Sequence, residues 1–143
     1  QESPAMSMTP DETDAAQENA LSGLDAPREA AFALARLGLE KKALDVVVLD
    51  IRGQSSYADF IVLMTAKSDP QLLAIADHLE SSLKKQGRRP MSVEGIRGGQ
   101  WVLLDYGDVV VHVFEGDARS FYDLEGLWAD AKREEVADEA AQH

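Results

Sequence analysis

The sequence contains no cysteine, and this absence excludes both a disulfide framework and a metal site built on thiolates. Long apolar runs are missing as well, since none approaches the roughly 18 residues that a membrane-spanning helix needs. The first residues also lack the basic-then-apolar pattern of a secretory signal peptide. These absences predict a soluble, cytoplasmic protein that does not contact a membrane.

Basic side chains are scarce: 14 Lys and Arg stand against 26 Asp and Glu, for a net charge of -12. Residues 1–24 hold five acids and no base, and residues 131–143 hold four acids and two bases. Because large aliphatic side chains are also rare at both ends, we expect 1–24 and 131–143 to be disordered or loosely helical acidic tails. Residues 25–130 retain 12 bases and 17 acids, a net charge of -5. This balance predicts little or no direct contact with nucleic acid and suits a basic protein partner.

The strongest local pattern is WVLLDYGDVVVHVF at 101–114, in which two apolar runs are joined by DYGD. Gly107 permits the positive φ of a tight reversal, so the segment predicts an antiparallel hairpin. Alternation divides the first strand between one face with Trp101, Leu103 and Asp105 and another with Val102, Leu104 and Tyr106. Because neither face is polar, the hairpin must lie within a covered sheet or offer one face to a partner.

Helical and strand patterns alternate along the rest of the chain. A helix is predicted from Asp25-Ala26-Pro27 to Gly38, followed by a strand at 43–51 and an antiparallel strand at 59–66. Ser68 and Gln71 form a capping box that opens a helix extending to about 86. A short strand at 91–94 precedes the hairpin, and Asp117 can cap a last helix whose apolar stripe is Phe121, Leu124, Leu127 and Trp128.

This order of elements, with a length of 143 residues and 45% hydrophobic content, predicts one α/β domain. The domain should span 25–130 and contain a mixed sheet of about five strands flanked by helices. The helix at 69–86 would serve as the crossover for any parallel pair of strands.

Catalytic chemistry has few candidates. Without cysteine, a serine nucleophile would need a histidine base. His112 lies in a strand and His78 on a helix beside Asp77, positions more typical of structural or surface residues. The loop GIRGG at 95–99 lacks the spacing of a phosphate-binding loop or a dinucleotide fingerprint, and no cofactor is predicted.

Four carboxylates, those of Asp50, Asp59, Asp105 and Asp108, fall at strand ends or turns. They could gather around a divalent cation in a nucleotidyltransferase or phosphohydrolase, but Asp is also a standard turn residue, and that interpretation is favoured. The basic cluster KKQGRR at 84–89 closes a helix, where it complements the helix dipole; RNA contact is the alternative.

The apolar set of Trp101, Leu103 and Tyr106 suits an interface, because interfaces are enriched in Trp and Tyr at their centres. Two alternatives stand beside a docking site for another protein. Trp101 could instead pack under a helix, or the patch could be buried in a homodimer.

Several segments stand in the order and spacing of the ribosomal silencing factor family, also called RsfS or Iojap, which this chain resembles over about residues 26–129. These segments are ALDVVVLD at 43–50, SSYADF at 55–60, SD at 68–69, AIADHL at 74–79, VEG at 93–95, WVLLDYGDVVVHVF at 101–114 and FYDLEGLW at 121–128. The resemblance implies a fold similar to nucleotidyltransferases without their catalytic signature, and a protein that is not an enzyme.

The resemblance also implies a partner. Members of this family bind ribosomal protein fourteen of the large subunit, block joining of the small subunit and lower translation when nutrients run short; organellar relatives act in large-subunit maturation. In this chain Trp101, Leu103 and Tyr106 would be the anchors of that contact. The hairpin turn and the preceding loop would supply its rim, namely Asp105, Gly107, Asp108, Ser56 and Tyr57.

Overall fold

The computed structural model of the chain describes residues 25–96 and 100–137. The predicted acidic tail at 1–24 and the last residues, 138–143, lie outside the described residues. Helices and strands follow in the order α1 Ala26–Glu40, β1 Leu44–Asp50, β2 Phe60–Ala66, α2 Asp69–Lys85, β3 Ser92–Ile96, β4 Trp101–Asp105, β5 Val109–Glu115, α3 Ala118–Tyr122, α4 Leu124–Leu127 and β6 Lys132–Glu135.

The described strands form one mixed sheet in the order β3-β4-β5-β2-β1-β6. The predicted hairpin is confirmed as the antiparallel pair β4–β5, and β1–β2 is antiparallel as expected. β2 and β5 run parallel, and α2 lies on the connection between them, which is the predicted crossover. The α/β class with a mixed sheet is therefore confirmed.

The sheet has six strands, not five, because β6 lies in the segment that was predicted to be a disordered tail. β6 pairs with β1 from Val47 opposite Glu135 to Asp50 opposite Lys132. All four of its side chains are exposed, so its backbone hydrogen bonds to β1, and not apolar burial, stabilise it. An ion pair of 2.8 Å between Arg28 and Glu134 ties it to α1. Composition cannot reveal a strand of this kind, and the domain extends at least to residue 135.

Each face of the sheet has its own apolar layer. α1 and α2 cover one face with fully buried side chains such as Leu34, Leu72 and Leu79. The opposite face buries a second cluster that includes Leu49, Ile61, Leu63, Val110 and Phe114, with Leu124 and Trp128 packed against it. Among the described residues, the helices above the second layer are the short α3 and α4, and the loop between β1 and β2 adds Ile51 and Ala58 to it. It is the less covered of the two layers.

Local capping signals were partly right. One half of the predicted capping box forms at the start of α2, where the Gln71 amide donates to Ser68 Oγ at 3.3 Å. The other half does not form, because the Gln71 side chain accepts from the Lys67 amide and not from that of Ser68. Asp25 precedes α1 but its side chain does not cap the helix, since it accepts a hydrogen bond from Arg52 at 2.8 Å. Arg52 thus competes successfully with the helix amides for this carboxylate.

Gly38 does not end α1, which continues to Glu40. It lies instead against β2, and a Cβ atom built on it would stand 2.5 Å from Met64 Sδ. The glycine therefore reflects close packing between helix and strand and not a helix end.

The predicted single helix after residue 117 is two short helices. Asp123 adopts a left-handed conformation, φ 50°, which ends α3 and begins α4. Its carboxylate accepts a hydrogen bond of 3.0 Å from the Gly126 amide. The break leaves Phe121 79% exposed and Leu127 71% exposed, so the predicted apolar stripe is not buried as a unit.

Candidate functional site

The two faces of β4 differ sharply in burial. Val102 and Leu104 are buried beneath the helices, whereas Trp101 and Leu103 point to the opposite face and are partly exposed. The alternation predicted for this strand is confirmed. It places Trp101 on the less covered side of the sheet, not under one of the two long helices.

Aromatic rings extend from this strand onto α3. The Trp101 ring centroid lies 5.1 Å from that of Phe114 and 4.6 Å from that of Tyr122. Tyr122 makes an edge contact with Phe121 at 5.0 Å, and both of these α3 side chains are exposed. We call the partly or largely exposed set of Trp101, Leu103, Phe121 and Tyr122 the aromatic face.

Carboxylates border the aromatic face on the β3 side. In the β3–β4 pairing Glu94 lies opposite Leu103, and Ser92 lies opposite Asp105. Cross-strand partners point to the same face, so Glu94 and Asp105 share the side of Leu103. Tyr57, which is 51% exposed, lies close to both: burial raises the pKa of its phenol, and the charges of Asp105 and Glu94 raise that pKa further. The border of the face is thus acidic.

His112 lies beneath the aromatic face and is 4% exposed. Its Nδ1 accepts a hydrogen bond of 3.0 Å from the Trp101 indole Nε1. Burial lowers the pKa of the His112 imidazole to about 4, although the nearby charge of Asp105 acts in the opposite direction. The imidazole is therefore neutral at pH 7. His78, by contrast, meets Glu40 at 2.8 Å on the helical surface. Neither imidazole is hydrogen-bonded to a serine hydroxyl within the described part of the chain.

Tyr106 does not belong with Trp101 and Leu103, and its assignment as an anchor beside them is corrected. It is 5% exposed and lies in the layer covered by α1 and α2, with the Arg88 guanidinium 5.5 Å from its ring. Burial, together with the charge of Glu80, raises the pKa of its hydroxyl to about 12. The period-two alternation already places this side chain opposite Trp101.

The hairpin turn serves the fold. Gly107 has φ 92°, and its amide donates to Asp105 Oδ1 at 2.8 Å. The Asp108 carboxylate pairs with Arg88, and its carbonyl accepts from the amides of Asp59 and Phe60. Gly107 and Asp108 are thus partly buried and make these contacts within the domain.

Of the predicted partner-binding residues, Trp101, Leu103 and Asp105 share one face of β4, and Tyr57 lies near Asp105. Ser56 is exposed next to Tyr57 in the loop before β2. The sequence analysis does not place Phe121 and Tyr122 on this surface: it assigns Phe121 to a buried helical stripe and gives Tyr122 no role. Their signal was present in the sequence, since two adjacent aromatics cannot both point into the core from one helix.

The carboxylates proposed for a divalent cation do not gather. Asp50 is in β1 and Asp105 in β4, three strands apart in the sheet, which amounts to about 14 Å at the usual strand spacing. Asp50 also pairs with Arg52 at 2.8 Å, and this guanidinium lowers the pKa of the carboxyl. Within 25–96 and 100–137 no three His, Asp or Glu side chains cluster in a way that could hold a metal ion. Nor is any helix in these ranges both long and apolar enough to cross a membrane.

The fold and this geometry define a class: a small α/β domain with an open mixed sheet, whose less covered face is aromatic and bordered by carboxylates. The sequence model of the family described as "Ribosomal silencing factor during starvation" matches residues 24–143. The chain belongs to this family of ribosomal silencing factors, as its segments had indicated.

Individual relatives support this family assignment. The ribosomal silencing factor of Halalkalibacterium halodurans is 44% identical over 97 residues, covering 68% of this chain and 83% of the relative. The chloroplastic protein Iojap of Zea mays is 37% identical over 101 residues, covering 71% of this chain and 44% of that longer protein. A crystal structure of a protein from Chromobacterium violaceum superposes with a TM-score of 0.69 at 32% identity, covering 78% of this chain and 92% of the other.

Proposed function

We propose that this chain is a cytoplasmic translation repressor that binds ribosomal protein fourteen on the large subunit through its aromatic face. The bound domain overlaps the position of the small subunit and prevents the two subunits from joining. Exclusion by overlap requires no turnover, so the chain acts as a binding protein and not as an enzyme. The same contact allows a role in large-subunit maturation, as in organellar relatives.

The observation that carries the proposal is the exposure of the aromatic face. Phe121 is 79% exposed and Tyr122 43% exposed, while Trp101 and Leu103 are partly exposed beside them. Large aromatic side chains in contact with one another are costly to leave in water and are the usual centre of a protein interface. Burial against a partner would remove this apolar surface from water.

The charges around the face support a basic protein partner. Glu94 and Asp105 border it, and the acidic excess of residues 25–130 attracts a basic ribosomal protein and speeds its encounter. The basic residues at 84–89 lie in the last turn of α2 and directly after it, and α2 belongs to the opposite layer. Contact with nucleic acid is therefore not required for docking through the aromatic face.

The proposal is tested by sedimentation with isolated ribosomal subunits. The chain should migrate with the large subunit, be absent from joined ribosomes, and reduce the joined fraction when it is added before the small subunit. Migration with the small subunit or with joined ribosomes would contradict the proposal.

A matched pair of variants tests the face. Trp101→Ala should weaken binding to the large subunit by about 2 kcal/mol, or roughly thirtyfold, as expected for a central aromatic anchor. Leu73→Ala provides the control, because Leu73 is 62% exposed on α2, in the opposite layer. Binding is compared per folded molecule, since Trp101 also packs on Phe114. Equal weakening by both variants would place the interface elsewhere.

A homodimer of the free protein is the second candidate, favoured by the same exposed apolar surface. In that case Trp101→Ala would convert a dimer to a monomer in light scattering, and the large subunit would compete with self-association. A monomeric unchanged protein at micromolar concentration removes this candidate.

A further inference from the structure

A buried imidazole interrupts the apolar composition of β5. The strand reads VVVHVFE, and the His112 imidazole within it is 4% exposed. Its neighbours across the strands are apolar: Leu103 on β4 and Leu63 on β2. A polar ring in this setting is costly unless it is hydrogen-bonded, and the hydrogen bond it makes is the one from Trp101.

The chemistry of this pair determines the protonation of the ring. Indole Nε1 is a donor only, so His112 Nδ1 must be the acceptor and carry no proton. The neutral tautomer has its proton on Nε2. The low pKa that burial imposes on His112 is consistent with this state.

Apolar contacts alone would confine the Trp101 indole less tightly than they do together with a hydrogen bond. Phe114 and Tyr122 lie beside the Trp101 ring at tilted angles of 33° and 44°. Ring contacts of this kind have broad energy minima, whereas a hydrogen bond prefers a nearly linear arrangement of donor, proton and acceptor. The 3.0 Å bond to His112 therefore adds a directional constraint that the apolar contacts lack.

We propose that His112 is a positioning residue for docking: by accepting the Trp101 indole hydrogen bond, it holds the ring in the orientation that meets the partner. The inference rests on the proposed function, in which Trp101 is an anchor. It adds that the aromatic face is preorganised from beneath by a residue that does not itself contact the partner. Preorganisation of this kind strengthens binding by reducing the ordering that docking requires.

The test compares two substitutions in the full chain. His112→Asn keeps an acceptor, because its amide oxygen can take the place of Nδ1, whereas His112→Leu fills the site without an acceptor. Leu suits this apolar site better than Asn, so a purely structural role predicts that the Leu variant is at least as stable and binds at least as well. A positioning role predicts the opposite order: His112→Asn should hold the Trp101 indole more firmly than His112→Leu does, and it should bind the partner more tightly.

Two measurements provide the readout. In the ¹⁵N-labelled protein, exchange of the Trp101 indole proton with solvent should be slow in the unchanged protein and in His112→Asn, and at least severalfold faster in His112→Leu. The chain has two tryptophans, and Trp128→Phe assigns their signals. Binding of isolated large ribosomal subunits, per folded molecule, should weaken about three- to tenfold in His112→Leu, the range expected for loss of one hydrogen bond, and recover in His112→Asn. His112→Gln offers a second acceptor variant if the Asn protein does not fold.

The outcomes separate the inference from the proposed function. If Trp101→Ala binds large subunits as well as the unchanged protein does, the docking role of both residues is overturned. If Trp101→Ala binds weakly but His112→Leu retains slow indole exchange and normal binding, the positioning role alone is overturned. An equal loss of binding in His112→Leu, His112→Asn and His112→Gln would also overturn the positioning role.

Discussion

Acidification should destabilise this domain over a defined range of pH, because its buried imidazole resists protonation. Burial lowers the pKa of His112 from 6.5 to about 4 in the folded protein. Between these values the unfolded chain binds a proton at this residue and the folded chain does not. The contribution of His112 to stability is thus fully present above pH 6.5 and is lost as the pH falls to about 4.

The structure sets the size of the effect. Each unit of pKa difference corresponds to about 1.4 kcal/mol, so the shift of His112 corresponds to a loss of roughly 3 kcal/mol in the free energy of unfolding. The conversion applies because the ring is 4% exposed and little screened by solvent. Protonation of Nδ1 would also remove the acceptor of the Trp101 hydrogen bond.

The assay is urea unfolding at a series of pH values from 7.5 to 4, with His112→Asn as the comparison. The Asn variant cannot titrate at this position, so the stability difference between the two proteins should shift by roughly 3 kcal/mol across the range. Carboxyls with lowered pKa, such as those of Asp50 and Glu125, titrate in both proteins and cancel in the difference.

Parallel curves for the unchanged protein and His112→Asn would refute this reasoning. They would mean that His112 is protonated in the folded state at pH 5, and hence that its Nδ1 does not accept the indole hydrogen bond.

Three further substitutions follow from the packing. Tyr106→Phe should raise the free energy of unfolding, measured in urea, by about 1 kcal/mol, because the Tyr106 hydroxyl is buried without a partner among the described residues. Subunit binding should stay unchanged, and a tenfold loss of binding would restore Tyr106 as an anchor. Gly126→Ala should lower the free energy of unfolding by about 1 to 2 kcal/mol, since the added Cβ would stand 2.3 Å from Asp123 Oδ2 and disrupt the start of α4. An unchanged unfolding midpoint would show that the turn adapts freely. Gly38→Ala should cost about 1 to 3 kcal/mol by the same measure through its clash with Met64. The same change should cost less when it is made in a Met64→Ala protein, where the clash is absent. A neutral or stabilising effect of the single change would contradict the close approach.

Patterns that depend on neighbouring residues predicted most of the fold. The hairpin at 101–114, the strands at 43–51 and 59–66 and the capping box at Ser68 all follow from turn chemistry, side-chain alternation and hydrogen bonds within a few residues. The structure confirms the hairpin, the two strands and the Ser68 cap, whereas the return bond of the capping box comes from the Lys67 amide and not from Ser68. Such signals are readable because their partners lie nearby in the chain.

Features that depend on remote partners were missed. β6 is a strand because β1 offers it a free edge, and its side chains KREE carry no strand pattern. Gly38 resembled a helix end because its close neighbour, Met64, lies 26 positions further along the chain. The break at Asp123 depends on a left-handed backbone conformation that Asp adopts only occasionally.

By itself, the sequence determined the family, the order of most elements and the division of β4 into two faces, with Trp101 and Leu103 on one and Tyr106 on the other. Only the tertiary structure decided which face remains open. Both faces are apolar, so alternation cannot rank them; α1 and α2, from distant parts of the chain, cover the Tyr106 side, while α3 and α4 are too short to cover the other. The contact between Trp101 and His112 likewise exists only because β4 and β5 pair in one register, which brings a donor and an acceptor 11 residues apart within 3.0 Å.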